Sequence, residues 1–182
     1  MRKIGVIVGS NRKDSINRKY ARALIKLAEG KLDCRELRID DLPLFNQDNE
    51  ANPAPEVIRF KGEVKAADAL LFVTPEHNRS IPAALKSAID WATRPHADNS
   101  FKGKTAALTG AARGRISTAV AQQHLRAILS GHFVALLGNP EVFLNYTDEL
   151  FDDAGDVRDE TTKKLLTTFV DNFGRLVDAM AR

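Results

Sequence analysis

VIVGSNRKDSINRKYARAL, residues 6–24, decides the fold. An apolar run ends at Gly9, a polar turn follows, and from residue 17 apolar side chains return at helical spacing: Tyr20, Leu24, Leu27 and Ala28. The pattern predicts a strand, a tight turn and a helix. Two well-known phosphate loops share that plan, and this segment is neither. A GxGxxG fingerprint needs two further glycines, and a GxxxxGK[ST] loop needs a Gly-Lys pair that is absent here. Gly103-Lys104-Thr105 imitates the second motif, but position 98 is Asp and a strand is predicted where the motif needs a helix.

Working outward, near-continuous apolar runs at residues 3–8 (KIGVIV), 69–74 (ALLFVT), 105–109 (TAALT) and 133–137 predict strands buried on both faces; residues 32–39 alternate loosely and add another. Helical spacing recurs over 17–29, 56–67, from Pro82 through Ala92, 118–129, and in a terminal stripe of Leu166, Phe169, Val170, Phe173, Leu176, Val177 and Met180. Residues 40–55 carry three prolines and are expected to form a long loop. Strands alternating with helices predict an α/β three-layer sandwich whose five-stranded parallel sheet, order 2-1-3-4-5, has helices on both faces. Residues 1–182 are expected to form one domain. In such a sheet a ligand sits beyond the C-terminal strand ends, at the switch point between strands 1 and 3. That selects three loops: 9–17, 75–81 and 110–117.

Composition narrows the function. The 182 residues carry 27 Lys+Arg against 24 Asp+Glu, and the basic residues are scattered, which argues against nucleic-acid binding. A lone cysteine, Cys34, excludes an internal disulfide and a multi-cysteine metal site; it is expected to be a packed strand residue. The apolar run at residues 4–8 is short for a signal-peptide core, and no run approaches a membrane span, so a cytoplasmic protein is expected. No Ser-His-Asp or HExxH arrangement appears, and His96 and His132 are expected in solvent or turns.

Loop 9–17 is rich in donors. Ser10, Ser15 and Asn17 carry hydroxyl or amide groups and Arg12 a charged fork, next to a helix N-terminus whose free N–H groups favour an anion. Two readings stand side by side: a terminal phosphate site, and simple capping by Ser15 or Asn17. Loop 75–81, PEHNRSI, is stiffened by Pro75 and Pro82. It serves either as the edge of a site for a flat heterocycle or as a rigid turn with Ser80 as a helix cap.

GSNRKDSIN (9–17) followed by PEHNRSIPAALKSAIDW (75–91) resembles the NADPH-dependent FMN reductase family, a flavodoxin-like group that includes quinone, chromate and azo-dye reductases. The family forms are GSxRxxSxN and PEYNxSxPxxLKNAIDW, and the resemblance extends over essentially the whole chain. It implies non-covalent FMN, with Ser10, Arg12, Ser15, Ile16 and Asn17 around the phosphate. Pro75, Glu76, His77, Asn78 and Ser80 would line the isoalloxazine, with Gly110, Arg113 and Gly114 on its other side. It further implies ping-pong hydride transfer from NADPH or NADH to FMN and then to quinone, chromate, azo or flavin acceptors. A homodimer or homotetramer with small-molecule partners is implied as well. The chemistry would be the flavin's, so no catalytic side chain is expected. His77 stands where the family has Tyr, and Ser87 where it has Asn. Arg79, Arg113 and Arg115 are either solvated charges or ligands for the NADPH 2′-phosphate. Trp91 is expected in the core or an interface, and His124 in a structural or interface role. The alternative is a flavodoxin-type electron carrier between proteins, against which stand a basic chain of pI about 9.1 and a second loop without Trp or Tyr. A non-flavin nucleotide-binding module on the same fold is a third possibility.

Overall fold

The computed structural model describes residues 1–152 and 154–181. Its strands are β1 (Arg2–Val8), β2 (Leu32–Glu36), β3 (Ala69–Val73), β4 (Thr105–Ala112), β5 (Ala135–Leu136) and β6 (Val142–Asn145). Its helices are α1 (Ile16–Leu27), α2 (Pro55–Ala66), α3 (Ala83–Thr93), α4 (Ala119–Ser130) and α5 (Glu160–Met180). All strand pairs are parallel, in the order β2-β1-β3-β4-β5. β3 is buried at every position, as a central strand covered on both faces must be.

Alternation along the strands divides the core in two. Ile4, Val6, Val8, Leu71 and Val73 face α1 and α5, where Tyr20, Leu24, Leu166, Phe169 and Phe173 meet them. Ile7, Leu70, Phe72 and Leu108 face the other way, against Phe60 and Val64 of α2, Leu85 and Ile89 of α3, and Leu125 of α4. The terminal stripe is therefore the seam of α5 from Leu166 to Val177, while Met180, expected to extend it, lies exposed at the helix end; each large side chain buried there contributes about 1.5–3 kcal/mol.

The far edge corrects the sequence reading. Five strands were expected; a sixth, β6, pairs with β4 beside β5. Thr105 and Ala106 pair with β5, and residues 109–112 pair with β6. The edge is thus one interrupted strand, broken by residues 137–141 with Pro140 inside, where a ladder N–H is missing. Phe133, expected to open the fifth strand, has φ +61° and lies exposed instead. β4 runs to Ala112, so the third loop begins at residue 113 rather than 110. Gly103 occupies a positive-φ turn and Thr105 opens β4, which disposes of the phosphate-loop imitation.

The long loop 40–55 is fastened to α3. Ser87 Oγ accepts the Phe45 N–H at 2.8 Å, and Trp91 Nε1 donates to the Pro43 carbonyl at 2.9 Å. Trp91 is a core residue at 2 % exposure, packed edge-on to Phe45. Cys34 is half-buried in β2, and desolvation pushes its thiol up to about 11, outside the range of a reactive thiolate.

Candidate functional site

At the C-terminal strand ends, the turn after β1 leads into α1 through Ser15. Ser15 Oγ accepts the Arg18 N–H at 3.3 Å, so the capping reading holds geometrically. It does not exclude the other one. A hydroxyl has one donor as well as two acceptor lone pairs, and capping uses only an acceptor. Ser10 repeats the pattern, its Oγ accepting the Arg12 N–H at 3.4 Å. Both hydroxyl protons remain available, and the Arg12 guanidinium has no partner among the described residues. With the first N–H groups of α1, at Ile16 and Asn17, this makes a set of donors without matching acceptors, the chemistry an anion needs.

Asn17 behaves differently. Its Oδ1 accepts the Ala111 N–H and its Nδ2 donates to the Ala111 carbonyl, each at 2.9 Å, and the residue is 1 % exposed. Val73 is the last residue of β3 to pair with β4, opposite Thr109. Two residues further along β4, the Asn17 amide takes the place that the next β3 residue would fill. It joins α1 to β4 and brings the first and third loops together.

The second loop is a tight turn. The His77 N–H donates to the Ser80 carbonyl and the Ser80 N–H to the His77 carbonyl, both at 2.9 Å. Between them Asn78 and Arg79 have φ of +49° and +64°, a type I′ geometry reached without glycine. Asn tolerates this region; Arg does so at a cost. The His77 side chain is exposed at the turn. Ser80 does not cap α3, which starts after Pro82; its Oγ lies 3.1 Å from His124 Nδ1 on α4. Glu76 makes a second link. Its Oε2 accepts the N–H groups of Val120 and Ala121, both at 3.0 Å, and so caps α4 from outside. Glu76→Ala is expected to cost about 2 kcal/mol by freeing two N–H groups, and Glu76→Gln about half of that. Urea denaturation of the two variants checks both values.

In the third loop Gly110 belongs to β4. A Cβ there would lie 2.0 Å from the Thr74 carbonyl oxygen, so only glycine lets β4 pass the root of the second loop. Arg113 is committed: it pairs with Asp148 at 2.6 Å and lies over the Tyr146 ring at 5.1 Å. Its hydrogen bond holds the Asp148 carboxyl below the usual range. Gly114 accepts the Ser117 N–H through its carbonyl and has open space around it. Arg115 is exposed and has no partner among the described residues.

The larger concavities lie elsewhere. One of about 330 Å³ is lined by Val57, Lys61, Trp91 and Arg94 on the α2–α3 side. Another, of about 290 Å³, opens at Arg2, Asp68, Gly103 and Thr105, by the N-terminal strand ends. Topology and donor chemistry both favour the three loops, which offer an open surface at the switch point. Reading motifs missed the Glu76 cap, the Ser80–His124 contact and Arg18, whose guanidinium faces the first loop from α1. The first two join elements 44 residues apart, and Arg18 reaches the loop because Glu36, 18 residues on, orients it, so motif spacing carries no signal of any of them.

A family model described as NADPH-dependent FMN reductase matches residues 2–149. A 2-hydroxy-1,4-benzoquinone reductase from a Burkholderia species is 42% identical over 176 residues, covering 96% of each chain. An NAD(P)H-dependent FMN reductase from Pseudomonas aeruginosa is 40% identical, covering 88% of this chain and 86% of the other. Among solved structures, FerB, a flavoenzyme NAD(P)H:(acceptor) oxidoreductase from Paracoccus denitrificans, superposes with a TM-score of 0.95 at 42% identity, covering 99% of both chains.

Proposed function

The chain belongs to the NADPH-dependent FMN reductase family, and from that premise we propose that its three loops hold FMN and that quinones are its electron acceptors. It is an FMN-dependent NAD(P)H oxidoreductase of flavodoxin-like fold; its relatives are enzymes by name, and the electron-carrier alternative is not favoured. The observation that carries the site assignment is the unmatched donor set at the start of α1: two hydroxyls, the Arg12 guanidinium and the free N–H groups of Ile16 and Asn17. A phosphate monoester answers that set in both charge and acceptor count.

When bound, FMN supplies two-electron redox chemistry between the nicotinamide and the acceptor. The protein's work is holding and orienting. Ser10, Arg12 and Ser15 grip the phosphate, and the Ile16 N–H adds the helix dipole. Asn17 acts from behind, by fixing the loop to β4. Residues 75–80 offer a rigid main-chain edge to the ring, made rigid by the turn at 77–80 and by its two links to α4. Gly110 lets β4 approach that edge, and Arg113 and Gly114 close the remaining side. The exposed residues 11–14, 77–79 and 113–116 leave the site open, which suits acceptors of varied shape such as quinones, chromate or azo compounds.

The visible spectrum of the purified protein after FMN incubation and desalting tests this directly. A retained flavin spectrum, bleached anaerobically by NADPH and restored by a quinone, is the expected result. Flavin that NADPH cannot bleach would favour the carrier, and no retained flavin would overturn the assignment.

Of Arg79, Arg113 and Arg115, it is Arg115 that has no partner among the described residues and can meet a 2′-phosphate; Arg113 pairs with Asp148 and Arg79 lies 3.6 Å from Glu76. Arg115→Ala is expected to raise KM for NADPH about tenfold and leave NADH unchanged, the loss of one charge-assisted contact. Equal effects on both nucleotides would remove Arg115 from that role. A single FMN-binding domain over residues 1–182, a cytoplasmic location and a homodimer or homotetramer complete the reading. Light scattering at micromolar concentration tests the last, and a monomer mass would contradict it. Among the described residues no helix is long and apolar enough to cross a membrane.

A further inference from the structure

Arg18 lies in the first turn of α1 and makes three contacts with its guanidinium. Nε donates to Glu36 Oε1 at 2.9 Å, Nη1 to the Arg12 carbonyl at 3.4 Å, and Nη2 to the Ser10 carbonyl at 3.4 Å. The side chain is 20 % exposed and that of Glu36 31 %, so the pair is partly desolvated. Glu36 is the last residue of β2, paired in register with Val6 of β1. The guanidinium therefore bridges a fixed point of the sheet to both ends of the exposed turn. The two carbonyl contacts are long, but a planar fork delivers them together and the ion pair orients the fork.

The consequence lies in the peptide planes. In a trans peptide the C=O and the following N–H point in opposite directions. With the Ser10 and Arg12 carbonyls turned toward Arg18, the N–H groups of Asn11 and Lys13 must point away from it. Neither N–H has an acceptor among the described residues. Two further donors are thus aimed outward from a loop whose hydroxyls and Arg12 already lack an anion.

We propose that Arg18, anchored by Glu36, is a positioning residue for this loop: it sets the orientation of the Asn11 and Lys13 N–H groups and so governs affinity for a flavin's 5′-phosphate. This rests on the FMN reading above. If Arg18 acted as a counter-charge for phosphate, neutralising Glu36 would release positive potential and tighten binding. Acting as a strut, Arg18 needs Glu36, and neutralising it loosens binding.

The test is fluorescence titration of flavin-free protein with FMN and, separately, with riboflavin, which lacks the phosphate. Arg18→Met and Arg18→Lys are both expected to raise the Kd for FMN about tenfold, because an ammonium cannot reach two carbonyls and a carboxylate at once. Glu36→Gln is expected to raise it about threefold, the loss of the anchoring charge alone. Riboflavin affinity should stay constant in all three. In 15N-labelled flavin-free protein, the Asn11 and Lys13 amide signals should shift in Arg18→Met while those of β3 and β4 do not. Should Arg18→Met fail to fold, Arg18→Lys and Glu36→Gln carry the same test. Lysine at wild-type affinity, or tighter FMN binding by Glu36→Gln, overturns the strut. Equal losses for FMN and riboflavin overturn its link to the phosphate. Wild-type protein that takes up no FMN overturns the parent reading and this one with it, a result distinct from wild-type binding with unaffected variants.

Discussion

Gly110→Ala is expected to destabilise the protein by about 3 kcal/mol or more, the upper end for forced overpacking. The added Cβ would sit 2.0 Å from the Thr74 carbonyl oxygen, 2.6 Å from Thr118 Oγ1 and 3.1 Å from the Thr74 carbonyl carbon. Two of these three atoms are backbone, so no rotamer change relieves the clash; β3 and β4 must separate where the Thr74 N–H donates to the Thr109 carbonyl. For a chain of this size that corresponds to a fall in Tm of about 6–12 °C. The damage is local to function as well, since Thr74 is the root of the second loop and Thr118 the N-cap of α4. Loss of FMN retention should accompany the fall in Tm. Gly114→Ala is the control: nothing lies within 4 Å of its Cβ position, and its Tm should match wild type. Thermal unfolding of the two flavin-free variants by circular dichroism makes the comparison, and equal melting temperatures would mean the strand ends part without cost.

Asn17→Ala is expected to cost about 3 kcal/mol, because it strands one N–H and one C=O of Ala111 at a buried position. No water-filled route compensates readily where Asn17 is 1 % exposed and Ala111 fully buried. Asn17→Asp separates hydrogen bonding from volume. It keeps an acceptor for the Ala111 N–H but sets an oxygen against the Ala111 carbonyl, so it too should destabilise despite nearly equal size. Because the amide joins α1 to β4, both substitutions should weaken FMN and riboflavin alike, in contrast to the phosphate-selective effect expected at Arg18. Urea denaturation with parallel flavin titrations checks this. An Asn17→Ala variant of wild-type stability but weakened FMN binding would return Asn17 to the phosphate itself.

The order of elements was legible because the central strands β1, β3 and β4 are buried on both faces and each helix on one. KIGVIV and ALLFVT are continuous apolar runs for the first reason, and the α5 stripe recurs at helical spacing for the second. The edge was not. β5 has two ladder residues and β6 four, too few for a period to emerge, and Phe133 looked like strand while lying exposed in a turn. Gly110 looked like loop because a glycine among small residues carries no mark of the Thr74 carbonyl oxygen 2.0 Å from its Cβ position.

Local periodicity and the few crossovers a parallel sheet allows are enough to give the alternation of strand and helix, the parallel sheet and the placing of GSNRKDSIN and PEHNRS at its C-terminal edge. Which polar side chains are free for a ligand and which are already taken emerges only when the elements pack. Asn17 is occupied by Ala111, Glu76 by the N-terminus of α4 and Arg113 by Asp148, whereas among the described residues Arg12, Arg115 and the protons of Ser10 and Ser15 are left over. A donor's availability depends on acceptors brought to it from 35 to 94 residues away, and no local pattern encodes such a meeting.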